Sequence, residues 1–203
     1  MSDMEKSYED AISVFKGKTK LSDFLITIPN SLSEDFCKKI IEKYKKHKED
    51  QVNTNTVGGY QPEYQKRKMI EISHLPHWKE EDDFFSKTIG DAIRKSKLFF
   101  DGNVMDSGYL LTYQDSEGYY HWHHDGTWVD EWCRYYTFIW YLNTLDDGQT
   151  EFLFGDKVYP ETGKLLLFPA NSMFFHRSVK TKKDKYICTG WLYSKNYNDD
   201  GRG

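Results

Sequence analysis

Apolar side chains follow two different periods along this chain. After a polar stretch containing Lys16-Gly17-Lys18-Thr19-Lys20 and a short apolar run, Phe24-Leu25-Ile26-Thr27-Ile28, they recur at helical spacing. Ser31-Leu32-Ser33-Glu34 has the form of a capping box, and Phe36, Ile40, Ile41 and Tyr44 then fall on one face, predicting a helix over about 32–48. Lys38, Lys39, Lys43, Lys45 and Lys46 lie on its other side, as expected of a solvated surface. Phe85, Ile89 and Ile93 at four-residue steps, with Asp82 and Asp83 at the favourable N-terminal end, predict a second helix over about 81–97. Between the two, residues 51–66 are polar and hold Gly58-Gly59 and Pro62, the texture of a long loop: a lid or a plain connection.

From about residue 104 the period shortens. Runs rich in Tyr, Trp, Phe, Ile and Thr at 108–114, 119–124, 134–142, 150–154, 163–168, 173–176 and 185–194 are separated by turn residues such as Asp146-Asp147-Gly148, Gly155-Asp156 and Pro169-Ala170-Asn171. Such runs read as consecutive strands. Helices followed by many strands predict an α+β chain, mainly β, whose second half is a sandwich or barrel. The expected division is a flexible lead-in at 1–20, one domain at 21–194 (helical support 21–103, β core 104–194) and a mobile tail at 195–203.

Composition sharpens this reading. At 203 residues the chain can bury a core without a covalent staple, and its 17% aromatic content suits pleated sheets and pocket linings. A formal charge of -4 disfavours a nucleic-acid partner. Cys37, Cys133 and Cys188 are odd in number and widely spaced, which fits a reducing, cytoplasmic setting better than a disulfide framework or a zinc knuckle. No apolar stretch reaches the length of a membrane span, and the acidic start of the chain lacks a signal-peptide pattern, so a soluble, unexported protein is expected.

The densest set of metal-ligand types is His121-Trp122-His123-His124-Asp125. On a strand, residues two apart share a face, so His123 and Asp125 can aim at one point. His121 shares that face too, and spacing alone does not choose between the histidines. His176 is the other histidine of the β-rich half and the natural third ligand. Two imidazoles and a carboxylate on one side of a metal leave the opposite side open, the arrangement used by non-haem iron(II) oxygenases.

These residues resemble the prolyl 4-hydroxylase-like family of iron(II)- and 2-oxoglutarate-dependent dioxygenases, over about Tyr109 to Tyr193. Tyr113 precedes His123 by ten residues, as in the family, and Tyr120-His121-Trp122-His123-His124-Asp125 fits its Tyr-x-x-His-x-Asp, which selects His123. Arg134, Thr137, Tyr141, Leu142 and Asn143 follow the family pattern, as do Gly148-Gln149-Thr150-Glu151-Phe152 and Pro160, Gly163 and Phe168 before His176. Lys185 supplies the expected basic residue, nine positions after His176 where ten is usual, and leads into a strand ending in Gly190-Trp191.

The resemblance implies a double-stranded β-helix, a jelly-roll barrel with N-terminal supporting helices. It also implies Fe(2+) on His123, Asp125 and His176, and 2-oxoglutarate anchored by Lys185 with Tyr113, Tyr141 and Thr189 as hydrogen-bond donors. Tyr120, Arg134 and Trp191 would face the substrate, and ascorbate would be the reductant if the iron needs one. The implied reaction is hydroxylation of a C–H bond, a prolyl residue of a peptide or protein foremost, with release of succinate and CO2. A free amino acid or small metabolite is the alternative substrate. Two competing classes are a non-catalytic metal- or ligand-binding jelly roll, against which the intact Lys185 and triad argue, and a zinc hydrolase on the same triad, which leaves Lys185 and the flanking tyrosines without a role.

Overall fold

The computed structural model describes residues 19–55, 59–95, 104–129 and 132–195. The expected lead-in and tail lie outside these ranges, apart from residues 19, 20 and 195. Helix α1, Glu34–Lys46, begins where the Ser33 hydroxyl accepts a hydrogen bond from the Phe36 N–H at 3.2 Å. Acidic Glu34 and Asp35 in its first turn and Lys43, Lys45 and Lys46 in its last complement the helix dipole. Helix α2, Lys79–Lys95, starts two residues earlier than the periodicity suggests, because a 3-10 turn at Pro76–Trp78 feeds straight into it. Phe36 packs on Phe84 and Phe85, with ring centroids 4.2 and 5.5 Å apart, and buried Glu81 accepts from Lys43 at 2.6 Å, so the two helices form one layer. Among the described residues, no helix is long and apolar enough to cross a membrane.

The strands are β1 (Ile26–Ile28), β2 (Val52–Asn53), β3 (Gln65–Lys66), β4 (Lys68–Glu71), β5 (Val104–Asp106), β6 (Leu110–Gln114), β7 (Tyr119–His123), β8 (Trp128–Val129), β9 (Trp132–Tyr141), β10 (Thr150–Phe152), β11 (Lys157–Val158), β12 (Leu165–Pro169), β13 (His176–Ser178) and β14 (Lys185–Lys195). They form two antiparallel sheets. The wide one runs β1-β12-β9-β14-β6-β4-β2, with β5 on β14 and β8 on β9, and the narrow one runs β11-β10-β13-β7-β3. This is the jelly roll expected, built as two facing sheets rather than as a closed barrel.

Alternation along the wide sheet sorts its side chains into two populations. Leu111, Tyr136, Phe138, Trp140, Leu165, Leu167, Cys188 and Leu192 point toward α1 and α2 and pack with Cys37, Ile40, Phe85 and Ile89. Ile139, Tyr141, Leu166, Phe168 and Ile187 point the other way and pack with Phe152 and Phe174 from the narrow-sheet side. At Gly190, on the helix-facing side, a Cβ would lie 2.4 Å from the Phe138 ring and 2.5 Å from the Gly108 carbonyl, so glycine is required by close approach.

Three local expectations differ from the structure. The run at 173–176 is a 3-10 turn, Ser172–Phe174, capped by the Asn171 side chain accepting from the Met173 N–H, and the strand starts only at His176. The segment 51–66 is not all loop, since β2 and β3 are cut from its ends. Strand β4 has no counterpart in the periodicity because Lys68-Met69-Ile70-Glu71 offers just two apolar residues, of which Ile70 alone is buried.

Candidate iron and diacid site

Strands of both sheets enclose a cavity of about 790 Å³, lined on the wide-sheet side by Thr112, Thr137, Ile139, Lys185, Thr189 and Trp191 and on the other by Tyr120, His123, Thr150, His176 and Ser178. Its polar lining comes from the same strands whose other face carries the dry core. At the mouth, β13 pairs with β7 so that His176 lies opposite His123. The next pair is Ser178 with Tyr120, so two residues on β13 span three on β7. This bulge breaks the alternation of β7. It turns His121 out to solvent, its ring tilted against Tyr119 with centroids 5.0 Å apart, and leaves His123 facing the cavity, although the two residues are two apart.

Asp125 lies just past the end of β7 rather than on the strand. One ligand atom from each of His123, Asp125 and His176 lies within 4.8 Å of the others. Asp125 Oδ1 is 3.6 Å from His123 Nε2 and Asp125 Oδ2 is 3.7 Å from His176 Nε2. Donors bonded to one small cation at about 2.1 Å sit roughly 3–3.6 Å apart, so the spacing suits a shared ion. The tautomers are fixed from behind. His123 Nδ1 donates to the His121 carbonyl at 2.7 Å and His176 Nδ1 to the Phe174 carbonyl at 3.0 Å, which leaves both Nε2 lone pairs directed at the carboxylate. Burial pushes both imidazoles below their ordinary pKa, so they are neutral. Burial pulls the Asp125 carboxyl upward, but the imidazoles and the Thr137 hydroxyl outweigh it and hold the group ionised. Thr137 Oγ1 donates to Asp125 Oδ2 at 2.7 Å. The Trp191 indole N–H also favours the charged carboxylate, without reaching hydrogen-bond geometry.

Deeper in the cavity, Lys185 is 2% exposed. Its ammonium donates to the Gly148 carbonyl and, at 2.9 Å, to Ser178 Oγ, and it lies 5.8 Å from the Tyr141 ring. Ser178 in turn donates to Gln114, whose amide donates to the Val179 carbonyl, so the anchor is itself held. Among the described residues no carboxylate forms an ion pair with Lys185. Burial first, then the charge of Arg67, pushes its pKa down to about 7 against a weaker pull from Asp147. A buried cation facing a cavity without a counter-ion is costly, and an incoming carboxylate relieves that cost.

The other expected site residues divide by strand parity. Thr189 lines the cavity with its hydroxyl donating to the Phe138 carbonyl, and Tyr141 sits fully buried behind Lys185, sharing a 2.7 Å hydrogen bond with Thr150. Tyr120 stacks on His123 at 3.5 Å, and Arg134 lies 3.6 Å over Trp191 at the cavity wall while donating to Tyr193. Tyr113 does not join them. Its neighbour Gln114 pairs with Lys185, whereas Tyr113 pairs with Tyr186 on the helix-facing side, where it packs on Tyr44 and Tyr186 and donates to Asp184. Counting ten residues back from His123 therefore reaches the wrong face, and the diacid-donor role implied for Tyr113 is corrected: Thr112 faces the cavity in its place.

Arg67 was not anticipated. It follows β3, lies 4.3 Å over the Tyr120 ring, and donates to Gln65 at 2.7 Å, while its buried Nε has no hydrogen-bond partner. Within Gln65-Lys66-Arg67-Lys68 it reads as one of several surface cations, and only the pairing of β3 with β7 brings it inside. Thr54, Asn55, Gln61 and Tyr64 line the same wall; residues 56–58 of that segment are outside the described ranges.

Residues 109–193 match the model of the 2OG-Fe(II) oxygenase superfamily. No curated protein sequence matches the chain. Among solved structures, the fold is similar to the viral collagen prolyl hydroxylase of Paramecium Bursaria Chlorella virus-1 in its 2OG complex, at 18% identity and a TM-score of 0.65 over 84% of this chain and 96% of that one. It is also similar to the prolyl hydroxylase of Trichoplax adhaerens in complex with a hypoxia inducible factor oxygen degradation domain peptide fragment, at 19% identity and a TM-score of 0.69 over 96% and 94%. A Pseudomonas putida prolyl-4-hydroxylase shares 15% identity and a TM-score of 0.63 over 90% and 98%.

Proposed function

We propose that this chain, whose residues 109–193 match the model of the 2OG-Fe(II) oxygenase superfamily, is a peptidyl-prolyl hydroxylase that holds iron on His123, Asp125 and His176 and its diacid cosubstrate on Lys185. The observation that carries this is the Lys185 ammonium, 2% exposed, lining the same cavity as the triad and without a carboxylate partner among the described residues. A non-catalytic module or a zinc hydrolase has no use for that cation, whereas 2-oxoglutarate, with carboxylates at both ends, does.

The residues present fit the ion, since each imidazole has its Nδ1 proton committed to a backbone carbonyl and its Nε2 free. When bound, iron would activate O2 with 2-oxoglutarate as the two-electron donor, so that one oxygen atom would end in succinate as CO2 leaves and the other in the substrate C–H bond. The chain supplies position. Thr137 keeps Asp125 oriented, Ser178 and Gly148 aim the Lys185 ammonium, and Tyr120 covers the exposed side of His123. Ile139 and Ile187 line the cavity as an apolar wall that limits water around the diacid.

A prolyl residue within a peptide is the substrate this reading favours. The fold is similar to that of prolyl hydroxylases, and Trp122, Arg134 and Trp191 line the cavity with aromatic and cationic surface that suits an extended chain. We further propose a cytoplasmic setting, which the three free cysteines Cys37, Cys133 and Cys188 suit. The test is mass analysis of proline-containing peptides after incubation with iron, 2-oxoglutarate and air. A gain of one oxygen on proline, coupled to succinate, supports the reading; succinate coupled only to free amino acids or metabolites overturns the peptide assignment.

A further inference from the structure

Outside the cavity, a second trio of metal-ligand side chains converges. His47 follows α1, Asp50 ends the 3-10 turn Lys48–Asp50, and His77 lies in the turn that opens α2; one ligand atom from each falls within 4.8 Å of the others. Asp50 Oδ2 is 2.7 Å from His77 Nε2 and 3.7 Å from His47 Nδ1, so both imidazoles aim at the same oxygen. The indole N–H of buried Trp78 donates to that oxygen at 3.4 Å and orients it. Glu49 Oε1 hydrogen-bonds His47 Nδ1 at 3.2 Å without joining the three-atom cluster. The His47, Asp50 and His77 side chains are 30, 14 and 43% exposed, so an ion can reach them from solvent.

We infer that His47, Asp50 and His77 form a second divalent-cation site that takes a zinc-class ion and joins the end of α1 to the start of α2. A solvated His–Asp pair needs one partner, whereas here two segments of chain present two imidazoles to one carboxylate. Imidazole with carboxylate selects zinc-class transition ions over magnesium or calcium, which prefer all-oxygen sets. The Asp50 carboxylate supplies negative charge toward the ion, and each imidazole offers a ring-nitrogen lone pair. The 2.7 Å hydrogen bond between His77 Nε2 and Asp50 Oδ2 opens as the ion enters, the ring proton moving to Nδ1 so that the Nε2 lone pair reaches the metal. Its effect is mechanical, because Gln51, which ties back to the Tyr44 carbonyl, and β2 lead directly to Thr54 and Asn55 in the cavity wall.

The test is zinc stoichiometry by equilibrium dialysis on the full chain. Wild type is expected to bind two equivalents, His77→Ala one, His176→Ala one and the double variant none. Zinc should also raise the unfolding temperature of His176→Ala but not of the double variant. His77→Ala should keep iron-dependent succinate release, which shows that it folds; Asp50→Asn, nearly isosteric, repeats the measurement if it does not. No zinc bound by His176→Ala, or unchanged binding in both His77→Ala and Asp50→Asn, overturns the inference. Because the His176→Ala background reads the outer site alone, the outcome is independent of the oxygenase reading.

Discussion

The two faces of the wide sheet are made by the same strands and do opposite work. Toward the helices β9 shows Tyr136, Phe138 and Trp140, and toward the cavity it shows Thr137, Ile139 and Tyr141. β14 likewise alternates Tyr186 and Cys188 against Lys185, Ile187 and Thr189. One face is a dry core; the other grades from an apolar end into a lined pocket with a buried cation. A shift of one residue in register would bury the threonines and expel the lysine, so the packing of the helices against the first face holds the chemistry of the second in place.

Breaking the dry face should produce the largest change in the molecule as a whole. Trp140→Ala removes a fully buried ring and should cost about 3–5 kcal/mol of stability, read by chemical denaturation, while the folded fraction keeps its 2-oxoglutarate dependence. On the cavity face, Lys185→Met should do the reverse. It should forfeit roughly 2–5 kcal/mol of diacid binding, seen as at least a tenfold rise in the 2-oxoglutarate needed for half-maximal succinate release, and should leave the diacid-free protein more stable. The pH dependence follows from the same group. With a folded pKa of about 7 against an ordinary 10.5, the unfolded chain binds more protons between those values, so stability of the diacid-free protein rises with pH across that window and is insensitive to this group below it. Diacid affinity falls over the same window, because the neutral amine must take up a proton to hold a carboxylate. Isothermal titration at several pH values checks both the slope and the proton uptake.

Smaller effects sharpen the contrast. Thr137→Val removes the donor to Asp125 and should weaken iron binding about 10–100-fold, with 2-oxoglutarate binding to the iron-loaded protein little changed. Tyr113→Phe should change neither diacid affinity nor turnover and should shift stability by about 0.5 kcal/mol or less, since its hydroxyl meets Asp184 on the helix-facing side. A large rise in the 2-oxoglutarate requirement of Tyr113→Phe would show that parity has been misassigned.

What the sequence reveals depends on the range of the interaction. Helix α1 is legible because its apolar stripe is local, although its cap is Ser33 rather than Ser31, and β6, β7, β9, β10, β12 and β14 are legible because aromatic runs between turn residues need no partner to be recognised. His123, Asp125 and His176 stand out as residue types, but what brings them together is the pairing of β7 with β13, including a bulge that no local pattern announces. Tyr113 is misread for the same reason: its spacing from His123 is right, and the face it takes is decided by its partner Tyr186 across the ladder. Arg67 and β4 are invisible because a polar segment becomes a strand only when a sheet edge accepts it.

The account rests on a ferrous ion at the triad and a diacid gripped by Lys185 in one cavity. The most direct test compares succinate release under air across 2-oxoglutarate concentrations for wild type, His176→Ala and Lys185→Met. The account predicts iron-dependent release from wild type, none above background from His176→Ala, and recovery of Lys185→Met only at much higher 2-oxoglutarate. Release that persists without the His176 imidazole, or a Lys185→Met curve superimposable on wild type, would contradict it.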